Sequence, residues 1–278
     1  MDRMDRMDRM DRMDRVDETE RHLAEQGGGP DAAAARRRYS PIVELRQYAL
    51  RAGRRDALID LFERAFIDGQ EAAGIVVIGQ FRDLQDPDRF VWLRGFPDMD
   101  RRCAALQAFY GGPVWRAHRD AANPLIVDSE NVLLLRPARP TSGFLLDPRD
   151  RPPPGAAQGP RGLVLATILS FETPPEADVL DWFEGTLAPA LTARGASILA
   201  SFVTEASANT FPDLPVREGE HVFVWFAGFQ DEETYGKYIA LAQPWVTHDQ
   251  MWGPIVGRLK TAPQVLALAP TARSLVHG

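Results

Sequence analysis

Phe90-Val91-Trp92-Leu93-Arg94-Gly95-Phe96 returns 133 residues later, with two changes, as Phe223-Val224-Trp225-Phe226-Ala227-Gly228-Phe229. A segment repeated at this distance predicts that the chain holds one structural unit twice. The likeness extends outward in both directions. Asp60, Phe62, Glu63, Gly74 and Phe81 fall on Asp181, Phe183, Glu184, Gly195 and Phe202 at a shift of 121. Beyond the repeated string, Asp98, Val132, Leu133, Leu135 and Pro137 fall on Asp231, Val265, Leu266, Leu268 and Pro270 at a shift of 133. The change of shift places about twelve extra residues in the second unit, around 206–219, where Asn209, Pro212 and Pro215 mark a loop. A loop enlarged in one unit only is a candidate lid.

Each unit reads as β-α-β-β-α-β. In the first, about 41–138, strands are expected at 43–50, 75–84, 89–96 and 131–136. Helices are expected at 54–70, where Leu58, Leu61, Phe62, Ala65 and Phe66 recur at spacings of three and four, and at 98–110 behind an Asp98 cap. Gly111-Gly112-Pro113 breaks the second helix, and 114–123 reads as a short helix. Asp86-Pro87-Asp88 is a hairpin turn. The second unit, about 162–271, repeats the order with strands at 162–171, 196–206, 220–229 and 264–269 and helices at 176–193 and 231–242. Residues 139–161 hold six prolines and three glycines and read as a linker. Residues 1–40 begin with five copies of Met-Asp-Arg. Their Met residues drift around a helix without forming a stripe, so a disordered tail is expected there, with a second tail at 272–278.

The order β-α-β-β-α-β is the ferredoxin-like arrangement. A four-stranded sheet with its helices on one face leaves the other face bare, and that face has to be covered. On the repeated strand, Phe90, Trp92, Arg94 and Phe96 share one side and Val91, Leu93 and Gly95 the other. We assign the Trp92 side, and the Trp225 side of the second unit, to the bare face. The expected fold is α+β: two ferredoxin-like units pressed sheet to sheet in a pseudo-symmetric dimeric α/β barrel. An aromatic-lined cavity between the sheets would hold a small ligand.

Composition narrows the class of function. Net charge is −7 and the pI about 5.3, which disfavours nucleic acid and anionic membrane as partners. Cys103 is the one cysteine, so no intrachain disulfide can form; it reads as a small buried hydrophobe in a reducing compartment. No run reaches the roughly 18–20 apolar residues of a membrane span, and no secretory h-region is apparent, so a cytoplasmic location is expected.

Four segments carry a family resemblance: Val43-Glu44-Leu45-Arg46-Gln47-Tyr48, Gly79-Gln80-Phe81-Arg82-Asp83, the Phe90–Phe96 string, and Trp115-Arg116-Ala117-His118-Arg119-Asp120. Together they resemble the NIPSNAP family, within the dimeric α/β-barrel superfamily. The match covers the first unit; the second lacks the Glu-Leu-Arg-x-Tyr opening. The resemblance implies a tandem barrel. It does not choose among the cofactor-free monooxygenases, cyclases, decarboxylating and dehalogenating enzymes and haem proteins of that superfamily.

Candidate chemistry centres on a few side chains. Trp115 and His118 share a helix face, and Trp245 and His248 repeat their spacing. His118 is the candidate general acid or base, with His248 its counterpart; the bland alternative is a His held at a helix end. Glu44, Arg46 and Tyr48 share one strand face, which Gln80, Arg82 and Arg94 can join. Arg46 and Arg94 either pair with Glu44 or bind an anionic or enolate oxygen. Trp92, Trp115, Trp225 and Trp245 would wall the ligand. The histidines and the single cysteine show no metal-ligand spacing, and no phosphate loop or Gly-x-Ser-x-Gly elbow is present. A haem ligand from His118 or His248 is a third reading. The expected function is a cofactor-independent enzyme, monooxygenase-, isomerase- or cyclase-like, acting on a hydrophobic aromatic or polyketide-like molecule. The alternative is a non-catalytic binding or adaptor protein. The barrel closes within one chain or in a homodimer.

Overall fold

Alternating side chains along Ile42–Leu50 build the first strand, β1, and the same pattern recurs through the chain. The structure, a computed structural model, describes residues 39–156, 162–242 and 249–278. After β1 comes α1, made of Arg55–Leu61, a π-helical turn at Phe62–Phe66, and Ile67–Ala72. Then follow β2 (Val76–Asp83), β3 (Arg89–Phe96), α2 (Met99–Tyr110), α3 (Pro113–Ala122), β4 (Ile126–Asp128) and β5 (Val132–Pro137). The second half holds β6 (Leu163–Ser170) and α4, made of Ala177–Trp182, a π-helical turn at Phe183–Leu187, and Ala188–Thr192. It continues with β7 (Ser197–Thr204), β8 (Val222–Phe229), α5 (Glu232–Ala242), α6 (Asp249–Val256) and β9 (Gln264–Pro270). The short β4 and the helix α6 were not expected from periodicity. Both π turns start at aligned phenylalanines, Phe62 and Phe183. Asp98 caps α2 as expected, its side chain accepting a hydrogen bond from the Arg101 N–H.

All strand pairings are antiparallel. The first half orders its strands β2-β3-β1-β5 and the second β9-β6-β8-β7. β2 pairs with β9 and β5 with β7, which closes eight strands into a barrel; β4 pairs with the end of β1, at Ala49 and Leu50, beyond the stretch that β5 occupies. Closure leaves those eight strands no free edge.

The side chains inside the barrel correct the expected assignment of faces. Val91 and Leu93 point inward, where they join Val43, Leu45, Leu133, Leu135, Val164, Ala166, Phe226, Leu266 and Leu268 in one buried apolar core. Trp92, Phe90 and Phe96 point outward and pack under α1 and α2 against Phe62, Phe66 and Leu106. Trp225, Phe223 and Phe229 do the same under the helices of the second half, against Phe183 and Leu187. The barrel interior is therefore filled from the opposite strand faces, mostly by aliphatic side chains together with Phe81, Phe202 and Phe226. An eight-stranded barrel is only wide enough for side chains to fill it, and Val and Leu suit that width. The aromatic cavity expected between the sheets is replaced by this packed core.

The linker and the C-terminal segment 272–278, which is not the free tail expected, add to the barrel. Phe144, from the linker, packs at a tilt against Phe226 with ring centroids 5.0 Å apart. Val276, from the C-terminal segment, enters the same core. Gln47 and Gln264 exchange hydrogen bonds across the two halves at 3.0 and 3.3 Å. Both glycines of the repeated string are explained by close approach. A Cβ on Gly95 would collide with Ser40, and one on Gly228 would press on Gly278 and Leu199.

Candidate functional site

Strand register assembles a polar cluster on the outward face of the first half. Glu44, Arg46 and Tyr48 alternate along β1 and lie opposite Arg94, Trp92 and Phe90 of β3. Gln80 of β2 lies opposite Trp92 on its other side. From above, α2 inserts Arg102 and Tyr110, and α1 inserts Gln70. Glu44 is the hub. Its Oε2 accepts from Arg46 Nη1 (2.6 Å) and Arg94 Nε (2.7 Å), and its Oε1 accepts from Arg102 Nε (2.7 Å). Arg94 Nη1 donates to Gln70 Oε1 and to the Tyr110 hydroxyl, and Arg46 Nε donates to the Tyr48 hydroxyl. The Trp92 ring is flanked by both guanidiniums, with centroid distances of 5.5 Å to Arg46 and 5.1 Å to Arg94. Tyr48 and Phe62 meet the same indole edge-on.

Glu44, Arg46, Arg94 and Arg102 are each 0% exposed. Burial pushes the Glu44 carboxyl up, but Arg94, Arg46 and Arg102 outweigh it and hold the group well below the usual carboxylate range. Burial pushes the Tyr48 hydroxyl up, against the pull of Arg46, so it stays protonated at neutral pH. One carboxylate thus faces three guanidiniums, an excess of two positive charges away from water. Glu44 is a poor general base, because the three guanidiniums lower its affinity for a proton and both of its oxygens already accept hydrogen bonds.

The enlarged loop of the second half reaches this cluster. It leaves β7 and crosses to α2, where Asn209 Oδ1 and Thr210 Oγ1 accept from Arg102 Nη1 at 3.0 and 3.3 Å. Thr210 Oγ1 also donates to the Met99 carbonyl, and Phe211 stacks on Tyr110 with centroids 6.2 Å apart. Phe211 and Leu214 join the core of the first half. The loop is therefore a strap from one half over the other. Beneath its root lies a groove of about 420 Å³, lined by Leu134, Arg136, Val203, Glu205, Arg217 and His221 among others. Leu134 is the strand neighbour of Glu44 on β5, so the groove comes within one strand spacing, about 5 Å, of the cluster. Replacing Phe211 by Ala is expected to lower stability by about 1–2 kcal/mol, since a half-buried ring and its stacking are lost. Urea unfolding checks this, together with faster tryptic cleavage after Arg217 in the loosened strap.

Of the residues singled out from sequence, Glu44, Arg46, Tyr48, Gln80, Trp92 and Arg94 come together here. Arg82 lies apart, paired with Asp56 at the surface. Trp115 and His118 sit half-buried on α3 and both touch Phe66, at 5.5 and 6.2 Å between ring centroids. Trp115 also meets Tyr110, at 4.9 Å, and Tyr110 in turn holds Arg94. Trp225 belongs to the core of the second half, beside Phe183 and Trp252. Trp245 and His248 lie outside the described residues. Cys103 is half-buried and its sulfur accepts from Gln107 Nε2, so it is not the small buried hydrophobe expected. Arg102, Gln70, Tyr110, Asn209 and Thr210 were missed. Arg102 did leave a signal: it heads the buried stripe Arg102, Ala105, Leu106, Phe109, where an apolar residue is the norm. Gln70 likewise ends the stripe begun by Phe62 and Phe66.

Among the described residues no group of three or more His, Cys, Asp or Glu could hold a metal ion, and no helix is long and apolar enough to cross a membrane. Strand order, closure and helical cover define a closed antiparallel α/β barrel of the kind seen in several solved structures. A presumed monooxygenase from Fusobacterium nucleatum shares it at 8% identity, TM-score 0.52, over 86% of this chain and 96% of that one. An anthrone oxidase-like protein shares it at 12% identity, TM-score 0.50, over 86% and 93%. At these identities the likeness is one of fold. Residues 43–140 match the model of the NIPSNAP family. A NIPSNAP family protein of Agrobacterium tumefaciens C58 is 25% identical over 36% of this chain and 97% of its own, at TM-score 0.33. No curated protein matches the chain.

Proposed function

We propose that the chain is two ferredoxin-like units in tandem, about 41–138 and 162–271, forming a pseudo-symmetric barrel with one ligand site, in the first unit. The reading is a cofactor-independent enzyme, monooxygenase-, isomerase- or cyclase-like, acting on a hydrophobic aromatic or polyketide-like molecule. The site lies between the sheet and helices of the first unit, not between the two sheets. What carries the proposal is the buried Arg46–Arg94–Arg102 set around Glu44 within a shell of Trp92, Tyr48, Tyr110 and Phe211. Guanidiniums fixed in a water-poor site can hold the oxygen of an enolate as its α-proton leaves. His118, beyond Phe66 and Trp115, is the proposed proton carrier. The descriptions of the two barrels above, monooxygenase and anthrone oxidase-like, agree with chemistry of this type.

Incubating the full chain with anthrone and related hydroxyarenes tests this. Dioxygen uptake above the protein-free rate is expected, with at least about a tenfold loss in Arg94→Gln and a smaller loss in His118→Ala. Uptake unchanged by both substitutions removes the assignments. The packed barrel interior favours the second reading, a non-catalytic binding or adaptor protein. It becomes the better one if no member of the panel is bound or turned over.

A further inference from the structure

The two halves differ at every charged position of the cluster. Aligned through the strand registers and the repeat, Glu44, Arg46, Tyr48 and Arg94 correspond to Leu165, Thr167, Leu169 and Ala227. Gln70 corresponds to Leu191 and Arg102 to Tyr235. The second half folds in the same strand order without these charges, so the fold does not require them.

In the first half, moreover, the cluster is not complete in itself. Nε and Nη2 of a guanidinium form one donor edge. Arg94 and Arg102 each set Nε against Glu44, yet Nη2 of each is buried with no partner among the described residues. The Trp92 Nε1–H and both side-chain polar atoms of Gln80 are also buried without partners; the sixth such atom is Thr271 Oγ1, next to the Gln80 backbone. These four residues adjoin. Gln80 and Trp92 are register partners, Arg94 lies two residues on with its guanidinium against the indole, and Arg102 meets Arg94 at Glu44. Buried polar groups nearly always find partners, and each one left unpaired costs free energy. Unpaired donors dominate this set, and they sit where positive charge is in excess by two.

We propose, building on the small-molecule reading above, that the cluster binds an aromatic carboxylate, its two oxygens taking the unpartnered Nη2 groups of Arg94 and Arg102. Two separate donors suit an acceptor with two oxygens, and a second carboxylate halves the excess charge. The Trp92 N–H and the Gln80 amide complete its hydrogen bonds. The aromatic body lies among Tyr48, Tyr110 and Phe211. Access is from the groove under the strap.

Calorimetric titration of the full chain with 2-naphthoate, 2-naphthamide and inorganic phosphate decides the matter. The carboxylate is expected to bind at least about tenfold more tightly than the isosteric amide, as charged hydrogen bonds outweigh neutral ones. Phosphate is expected not to displace it. Trp92→Phe, which removes an N–H that no group among the described residues uses, is expected to weaken naphthoate several-fold. Equal binding of acid and amide overturns the carboxylate while leaving a small-molecule site standing. Displacement by phosphate overturns it in favour of an inorganic anion. Unchanged naphthoate affinity in a folded Trp92→Phe variant overturns the placement. Binding of none of the three overturns both this inference and the small-molecule reading.

Discussion

Glu44→Gln is expected to destabilise the protein by about 3–5 kcal/mol, the usual result of removing one partner from a buried ion pair. Glutamine keeps the shape of the side chain and loses its charge. Three fully buried guanidiniums would then share no counter-charge, whereas in the wild type all three bond to this carboxylate. For a domain of this size the melting temperature should fall by roughly 6–20 °C. The pH dependence carries a sign. Burial raises the Glu44 carboxyl and the arginines lower it, and the arginines prevail, so the folded group titrates below its ordinary value of 4.5. Its contribution is complete above that value and is lost as pH falls through the folded one. Wild type and variant should therefore differ by a constant amount from pH 8 to about 5 and converge only in stronger acid. Urea unfolding across that range measures the gap. A loss below about 1 kcal/mol at pH 7 would mean that the three arginines are solvated rather than buried.

Much of this architecture could be read from the chain because strand and helix periods are local. The Phe-Val-Trp repeat marked β3 and β8, and the change of shift from 121 to 133 located the strap. Which face of β3 turned inward was misread for a physical reason. Alternation separates two faces but does not say which one the barrel encloses. The Trp92 face looked like the larger apolar surface, yet it carries Arg94 and lies beside Glu44 and Arg46, which need polar partners from outside the strand. Those partners are Arg102 and Gln70, which only helices can supply. Val91 and Leu93 match the aliphatic pairs Val43/Leu45, Leu133/Leu135 and Leu266/Leu268, and a narrow barrel takes such residues. The strap's destination was not legible either, since its contacts with Arg102 and Tyr110 span more than a hundred residues.

The complementary experiment replaces the whole cluster by the residues that the second half uses: Glu44→Leu, Arg46→Thr, Arg94→Ala and Arg102→Tyr together. Simple addition of single-site costs predicts an unfolded protein. A buried ion network exchanged for apolar residues is instead commonly neutral or stabilising, because the desolvation of every charge is relieved at once. The fourfold variant should therefore recover most of the stability lost by Glu44→Gln, to within about 2 kcal/mol of wild type. That is a coupling far outside the few tenths expected of independent sites. It should also lose all binding of 2-naphthoate and all turnover of any substrate found. A folded, inert variant would show that the charges serve a ligand and that the barrel stands without them, as the second half does with Leu165, Thr167, Ala227 and Tyr235. A variant as unstable as Glu44→Gln would show instead that the first half depends on its arginines for structure, and the cluster would lose its standing as a site.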